Sequence, residues 1–287
     1  MKNLSFFDKF LFLINSLIAF LFLLSLFIPL VKPSNFVYLS LFSLFTPILI
    51  VINILFVFFW VIKMKRYFLL SLIVLFIGND SLRSFINFSK SDKSTRENQI
   101  SIISYNVRLF NLYNWLPIDG ISEKVGDFLL NENSDLISLQ EYHKDAFFLS
   151  NYPYKFENLS GKNLKYGQAI FSKYPIVYSS SLNFDNSSNN AIFSDIMVNN
   201  DTIRVYNIHL ESFSFEKYEY LNNIDKNNSI SDISRTFLEQ ERQVQILKKS
   251  FINCPYKMII TGDFNNTAFS YTYRELSKEF NDNFKEK

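Results

Sequence analysis

The chain has 287 residues, 48% of them hydrophobic, and a net charge of only +2. That small figure hides a division: 10 Lys and Arg face 4 Asp and Glu up to Glu97, a balance of +6, whereas 19 face 23 beyond it, a balance of −4. The acidic part has no cationic excess of the kind that draws proteins to polyphosphate backbones, and the single cysteine, Cys254, excludes an internal disulfide.

The front of the chain reads as a membrane anchor over residues 1–88. Residues 10–31 carry no charge and 36–62 form a second apolar run; each exceeds the roughly 20 residues a helix needs to cross a hydrocarbon core about 30 Å thick. Neither run has the short core and small-residue cleavage site of a signal peptide. Lys63, Lys65 and Arg66 form the densest basic cluster beside the runs, which puts that loop and the N-terminus, with Lys2 and Lys9, on the cytoplasmic side. Residues 67–88 are a third candidate crossing if Asp80 and Arg83 sit against protein or at the interface. Crossing there makes the remaining chain extracytoplasmic, the favoured reading; lying on the surface makes it cytoplasmic.

Residues 89–98, "SKSDKSTREN", are polar and aperiodic and read as a linker. From residue 99 the pattern changes to short strand-like runs: 100–107, 135–141, 167–173, 191–198, 202–210 and 256–264. Helices interrupt them around Ile121, Val125 and Leu129, and from Ile233 to Phe251. Residues 211–232, rich in Asn and Ser, read as a surface insertion. Strands and helices mixed without strict alternation imply an α/β or α+β sandwich.

Four of these runs end in residues with chemistry: Asn106 after "IISY", Glu141 after "ISLQ", His209 after "VYNI", and Asp263 with Asn265 after "IITG". Singly, each has a structural reading: Asn106 caps a turn, Glu141 is a solvated strand end, His209 is a core histidine and "GDFN" is a hairpin turn. Together they suit phosphate-ester hydrolysis. Glu141 suffices as the one strong protein ligand of Mg²⁺, which keeps waters and takes substrate oxygens. Asn106, Asn265 and His209 can donate to phosphoryl oxygens, and Asp263 can orient or deprotonate water. The sequence has no Cys/His cluster at zinc spacing and no P-loop. His143, two residues beyond Glu141, reads as a surface residue, with a place at the site as the alternative.

"SYNVRLFN", "SLQEYH", "YGQAIFSKYPI", "YNIHLES" and "TGDFNNT" resemble, in order, the blocks of the endonuclease/exonuclease/phosphatase family, which has the deoxyribonuclease I-like fold. The resemblance spans residue 100 to the C-terminus and implies a four-layer sandwich, two mixed sheets flanked by helices, after two or three transmembrane helices. It implies Mg²⁺ or Mn²⁺ at Asn106 and Glu141, a phosphate contact from His209, alignment of the nucleophile by Asp263 and a phosphate-oxygen contact from Asn265. It also implies a bacterial, multi-pass inner-membrane protein acting on a phosphate ester of nucleic acid, lipid or small molecule, with the bilayer as its other partner; no protein partner is inferable. One departure stands out. The family's late Asp-bearing strand and Ser-Asp-His are absent, so the domain at 99–287 reads as lacking its final strands, about 60 to 80 residues on the usual domain size. The alternative function is an inactive member that binds phosphate ligands or a partner.

Overall fold

The computed structural model describes residues 5–87, 99–144, 151–161, 165–213 and 229–285. The linker at 89–98 and most of the insertion at 211–232 lie outside them. The chain divides into two compact units, one of residues 1–92, 214–244 and 266–287, the other of residues 93–213 and 245–265.

The first unit is built on apolar helices. α1 (Phe6–Ser25) continues through a short turn to Leu30; α2 (Val37–Phe42) and α3 (Thr46–Ile62) together form the second long run. Both runs, Phe6–Leu30 and Val37–Ile62, are long and apolar enough to cross a membrane. α4 (Phe68–Ile77) and α5 (Asn79–Phe85) are bent 83° from each other at Gly78. A Cβ there would lie 2.5 Å from the Phe22 ring, so any larger residue at the bend would have to push that ring of α1 aside. Ala19, Phe22, Leu49, Ile50, Val74 and Leu75 pack together, joined by Phe269 from the segment before α8 (Tyr271–Ser277). A polar group is threaded among them. The Asn15 amide donates to Ser71 Oγ at 2.6 Å and accepts from Trp60 Nε1 at 3.0 Å, so neither the amide nor the indole is left unpaired where water is absent.

The second unit is a sandwich of two four-stranded mixed sheets. β1 (Ile102–Asn106), β2 (Leu136–His143), β3 (Tyr154–Ser160) and β4 (Tyr166–Ser172) make the first, ordered β1-β2-β4-β3, with β1 parallel to β2 and the other pairs antiparallel. β5 (Ile176–Ser181), β6 (Ala191–Val198), β7 (Asp201–His209) and β8 (Lys257–Asp263) make the second in chain order, with β7 parallel to β8. Side chains alternate across each strand. Leu136 and Ile170 meet Ile192, Ile196 and Val205 between the sheets. Ile137 and Leu139 face outward and pack with Leu129 and Val125 of α6 (Ile121–Glu132). On the other outer face Tyr206 stacks edge-on against Phe251 of α7 (Ser229–Ile252), ring centroids 5.0 Å apart. β3 and β5, each at one edge of its sheet, are absent from the runs read in the sequence.

Within the second sheet, Asp195 and Arg204 are cross-strand partners on β6 and β7. Both are buried, and the guanidinium grips the carboxylate with two bonds, Nε to Oδ1 at 2.6 Å and Nη2 to Oδ2 at 2.8 Å. Its other face lies 3.9 Å from the Phe193 ring centroid. Removing one partner strands the other charge, so Asp195→Ala is expected to cost about 3–5 kcal/mol. Denaturation of the detergent-solubilised chain followed by circular dichroism checks this; an unshifted midpoint would show the pair to be dispensable.

Candidate active site

The parallel pairs β1/β2 and β7/β8 bring four carboxyl-terminal strand ends to one place. Asn106 pairs with Gln140 in the first sheet and His209 with Asp263 in the second. The Asn106 amide joins the two sheets: Nδ2 donates to Glu141 Oε1 at 2.9 Å and to Asp263 Oδ2 at 3.0 Å. His209 Nε2 stands 3.9 Å from the same Glu141 oxygen. The four residues form one polar cluster drawn from both sheets.

Local backbone features aim each group. Glu141 has φ +51 and sits at a bulge where the β2/β4 register slips between Gln140 and Tyr142. A bulge re-aims one side chain out of the strand's alternation, and a left-handed glutamate is costly enough to mark a constrained position. Gly262 has φ +139, and a Cβ there would fall 1.9 Å from the Ile208 carbonyl oxygen. Only glycine therefore allows β8 to come so close to β7, which is what sets Asp263 beside His209. Asn265, also left-handed at φ +46, donates its backbone N–H to Asp263 Oδ1 at 2.9 Å. Its side-chain Nδ2 donates to the Leu210 carbonyl at 2.9 Å, so in this conformation the amide braces the loop behind Asp263.

Beneath the cluster a second set of amides ties the sheets together. Asn207 Nδ2 donates to the carbonyls of Leu139 at 2.8 Å and Ala169 at 3.0 Å, while its Oδ1 accepts from Gln140 Nε2 at 2.7 Å. Gln168 Nε2 donates to the Asn207 carbonyl at 2.9 Å. Sequence reasoning missed these residues; the available signal was a polar residue inside each of the otherwise apolar runs "ISLQ", "GQAIF" and "VYNI". Beside the cluster opens a cleft of about 200 Å³ with Glu141 and His209 on its wall and Ser188, Asn189, Asn190 and Asn158 around it, also unanticipated. His143, expected chiefly at the surface, is instead buried edge-on against Phe110 at 5.7 Å between centroids. The bulge removes the alternative as well, because it breaks the alternation that would have kept His143 on the face of Glu141.

The donor set sets limits on a metal. Among the described residues no three His, Cys, Asp or Glu side chains group tightly enough to enclose an ion. The Asn106 oxygen accepts the Arg108 N–H at 3.0 Å and keeps a second lone pair, so Glu141 offers the charged donor and Asn106 at most a neutral one. That suits a hard cation that keeps most of its waters, the habit of Mg²⁺, and does not suit a fully caged ion.

The Exo_endo_phos model, described as the endonuclease/exonuclease/phosphatase family, matches residues 103–285. The chain belongs to this family. Its description covers nucleases and phosphatases, hydrolases of phosphoesters, and the two-sheet sandwich is the family's deoxyribonuclease I-like fold. Residues 8–85 match a separate domain of unknown function, DUF8431. No curated protein matches the chain. Among solved structures it is similar to a humanized D. rerio TDP2, at 18% identity and a TM-score of 0.44, covering 59% of this chain and 64% of that one. It thus spans less than two thirds of that protein. It is also similar to sphingomyelinase C from Streptomyces griseocarneus, at 16% identity and 0.45, covering 63% and 69%. A third is an endonuclease/exonuclease/phosphatase from Beutenbergia cavernae DSM 12333, at 13% and 0.43, covering 62% and 52%.

His209 is buried, and burial holds its pKa below the ordinary imidazole value. The nearby charges of Asp263, Glu141 and Glu211 pull the other way without prevailing. A depressed folded-state value means the neutral ring is the favoured form at neutral pH, and stability is lost as pH falls below the ordinary imidazole range. With only two histidines in the chain, an NMR titration in chelator with His143→Gln isolates the signal. The expected midpoint lies below that of a free imidazole; one at or above it would contradict the burial account.

Proposed function

We propose that the protein is a membrane-anchored, divalent-metal-dependent phosphoesterase in which Glu141, Asn106, His209, Asp263 and Asn265 serve the reaction. The observation that carries this reading is the Asn106 amide held between Glu141 and Asp263, carboxylates of different sheets. Such bracing fixes two acidic groups near one another without neutralising either.

In this reading Glu141 holds Mg²⁺ or Mn²⁺ beside Asn106, and the bound ion supplies charge stabilisation to the phosphoryl oxygens. Asp263 accepts a hydrogen bond from the attacking water and can take its proton as the water oxygen bonds to phosphorus. The ester P–O bond opposite breaks, and its oxygen leaves as the alcohol once protonated by solvent or a neighbouring acid. His209, neutral at pH 7, donates Nε2–H to a non-bridging oxygen, where charge accumulates in the transition state. Asn265 supports the loop that holds Asp263 and can turn its amide to a second oxygen.

The substrate is a phosphate ester of nucleic acid, lipid or small molecule. Turnover of bis(p-nitrophenyl) phosphate by the folded, full-length chain with Mg²⁺ tests the activity. Glu141→Gln and Asp263→Asn are each expected to lower kcat by about 100-fold or more. Wild-type turnover that is unchanged by chelator or by Glu141→Gln would overturn the metal assignment. A folded chain that binds phosphate without any turnover would favour the inactive, ligand-binding reading.

The anchor is proposed to be multi-pass in a bacterial inner membrane, with the catalytic unit extracytoplasmic. Support comes from Ser34, between the two long apolar runs, whose N–H and hydroxyl donate to the Glu241 carboxylate of α7 at 2.7 and 2.9 Å. Lys63, Lys65 and Arg66 lie at the other end of α3, so within the first unit this contact keeps Glu241 with the loop opposite the basic one. A membrane-impermeant maleimide is expected to label Cys254 and a Ser34→Cys variant from the same face, and a Lys65→Cys variant in a cysteine-free background only from the opposite one. Labelling of Cys254 and Lys65→Cys from one face would reverse this topology.

A further inference from the structure

Immediately after β1 the chain makes a loop that keeps its apolar side chains in solvent. Leu112, Tyr113, Leu116 and Ile118 are 43%, 58%, 53% and 51% exposed. The loop is not slack. Asn111 closes it with a reciprocal pair, Nδ2 donating to the Leu116 carbonyl and Oδ1 accepting from the Leu116 N–H, both at 2.9 Å. The Asn114 N–H donates to the Asn111 carbonyl at 2.8 Å, and that of Ile118 to the Leu116 carbonyl at 2.8 Å. Tyr113 and Trp115 pack edge to face at 5.2 Å, and the Arg108 guanidinium lies 4.8 Å from the Trp115 ring centroid. The outcome is a closed loop carrying exposed Leu, Tyr and Ile side chains around a half-buried Trp115, with a cation against the indole.

Exposed apolar side chains held in a fixed arrangement have already lost the freedom that docking would remove, so their burial is not offset by ordering. Several together mark a contact surface, where single ones would not. The residue types select the partner. Trp and Tyr beside Leu and Ile, with Arg among them, is the mixture that settles at the boundary of headgroups and acyl chains, ring bodies in the apolar layer and the cation among phosphates. Proximity favours the same partner. Only 16 residues separate the end of α5 at Phe85 from the start of β1 at Ile102, a reach of at most about 55 Å even fully extended. A bilayer holding the apolar helices is therefore always present at high effective concentration.

We propose that the loop at 111–118 is a bilayer-docking knob that seats Trp115 and its apolar neighbours in the lipid interface. The inference rests on the membrane-anchored reading given above. Because the knob follows Asn106 by a few residues on the same strand end, docking brings the candidate site to the headgroup layer. Phosphoesters displayed at that layer are then favoured over those free in solution.

The chain has two tryptophans, Trp60 and Trp115, so Trp60→Phe leaves Trp115 as the sole reporter. The full-length variant is reconstituted in phosphatidylcholine vesicles with or without bromine on the acyl chains, and incorporation is checked by flotation. Bromolipid is expected to quench Trp115 emission by about half, as for an indole at the interface. Adding Leu112→Asp and Leu116→Asp is expected to restore the emission while the protein still floats. If Trp60→Phe does not fold, the difference between wild type and Trp115→Phe gives the same signal. A floating protein whose Trp115 emission is indifferent to bromolipid overturns the knob and leaves the anchor intact. A protein that does not float overturns the anchor reading and the knob with it.

Discussion

The arrangement of the second unit depends on the buried amide of Asn207, which faces from one sheet into the other and exchanges hydrogen bonds with Leu139, Ala169 and Gln140. An apolar interface tolerates sliding, because hydrophobic contact has no direction. Hydrogen bonds do have direction, and a buried amide that loses its partners forfeits far more than it gains by shifting. Slipping either sheet by one residue would break this set at once. The ends of β1, β2, β7 and β8 are consequently held opposite one another, and the distances around Asn106 follow from that registration.

Backbone exceptions then do locally what the amide clamp does globally. Gly262 permits the close approach of β8 to β7, and the bulge at Glu141 lifts one carboxylate out of the alternation. Glycine takes its conformation without strain, whereas the left-handed glutamate costs conformational energy and improves no packing. Such expenditure is most readily understood where a side chain must point in a direction that regular strand geometry would not give. Asn265 adds a third instance one turn later.

Much of this was legible in the sequence, for identifiable reasons. The long uncharged runs announce themselves because hydrocarbon excludes charge, and the central strands because a strand buried on both faces is apolar throughout. Asn106, Glu141, His209 and Asp263 were readable because each follows such a run. The edge strands β3 and β5 were not, since "YKFENLS" and "IVYSSS" are half-exposed and polar enough to pass for loops. The "YP" before each was the remaining cue. The bulge carried no signal at all, since nothing in "LQEYH" distinguishes a glutamate at positive φ from one in a regular strand. The error over His143 follows from it. Asn207 gave a weaker signal because it lies within an apolar run and not at its end.

If the apolar helices lie in a bilayer as proposed, the bend at Gly78 has a consequence for the lipid around them. α4 has 10 residues and rises about 15 Å at 1.5 Å per residue, roughly half the ordinary hydrocarbon thickness. Packed alongside α1 and α3, it is far shorter than its neighbours before the chain turns aside. In a bilayer, such a hydrophobic mismatch is relieved by local thinning or by selecting thinner membrane. The anchor would then act as more than a tether: it would set the thickness, and so the headgroup packing, of the lipid immediately around it.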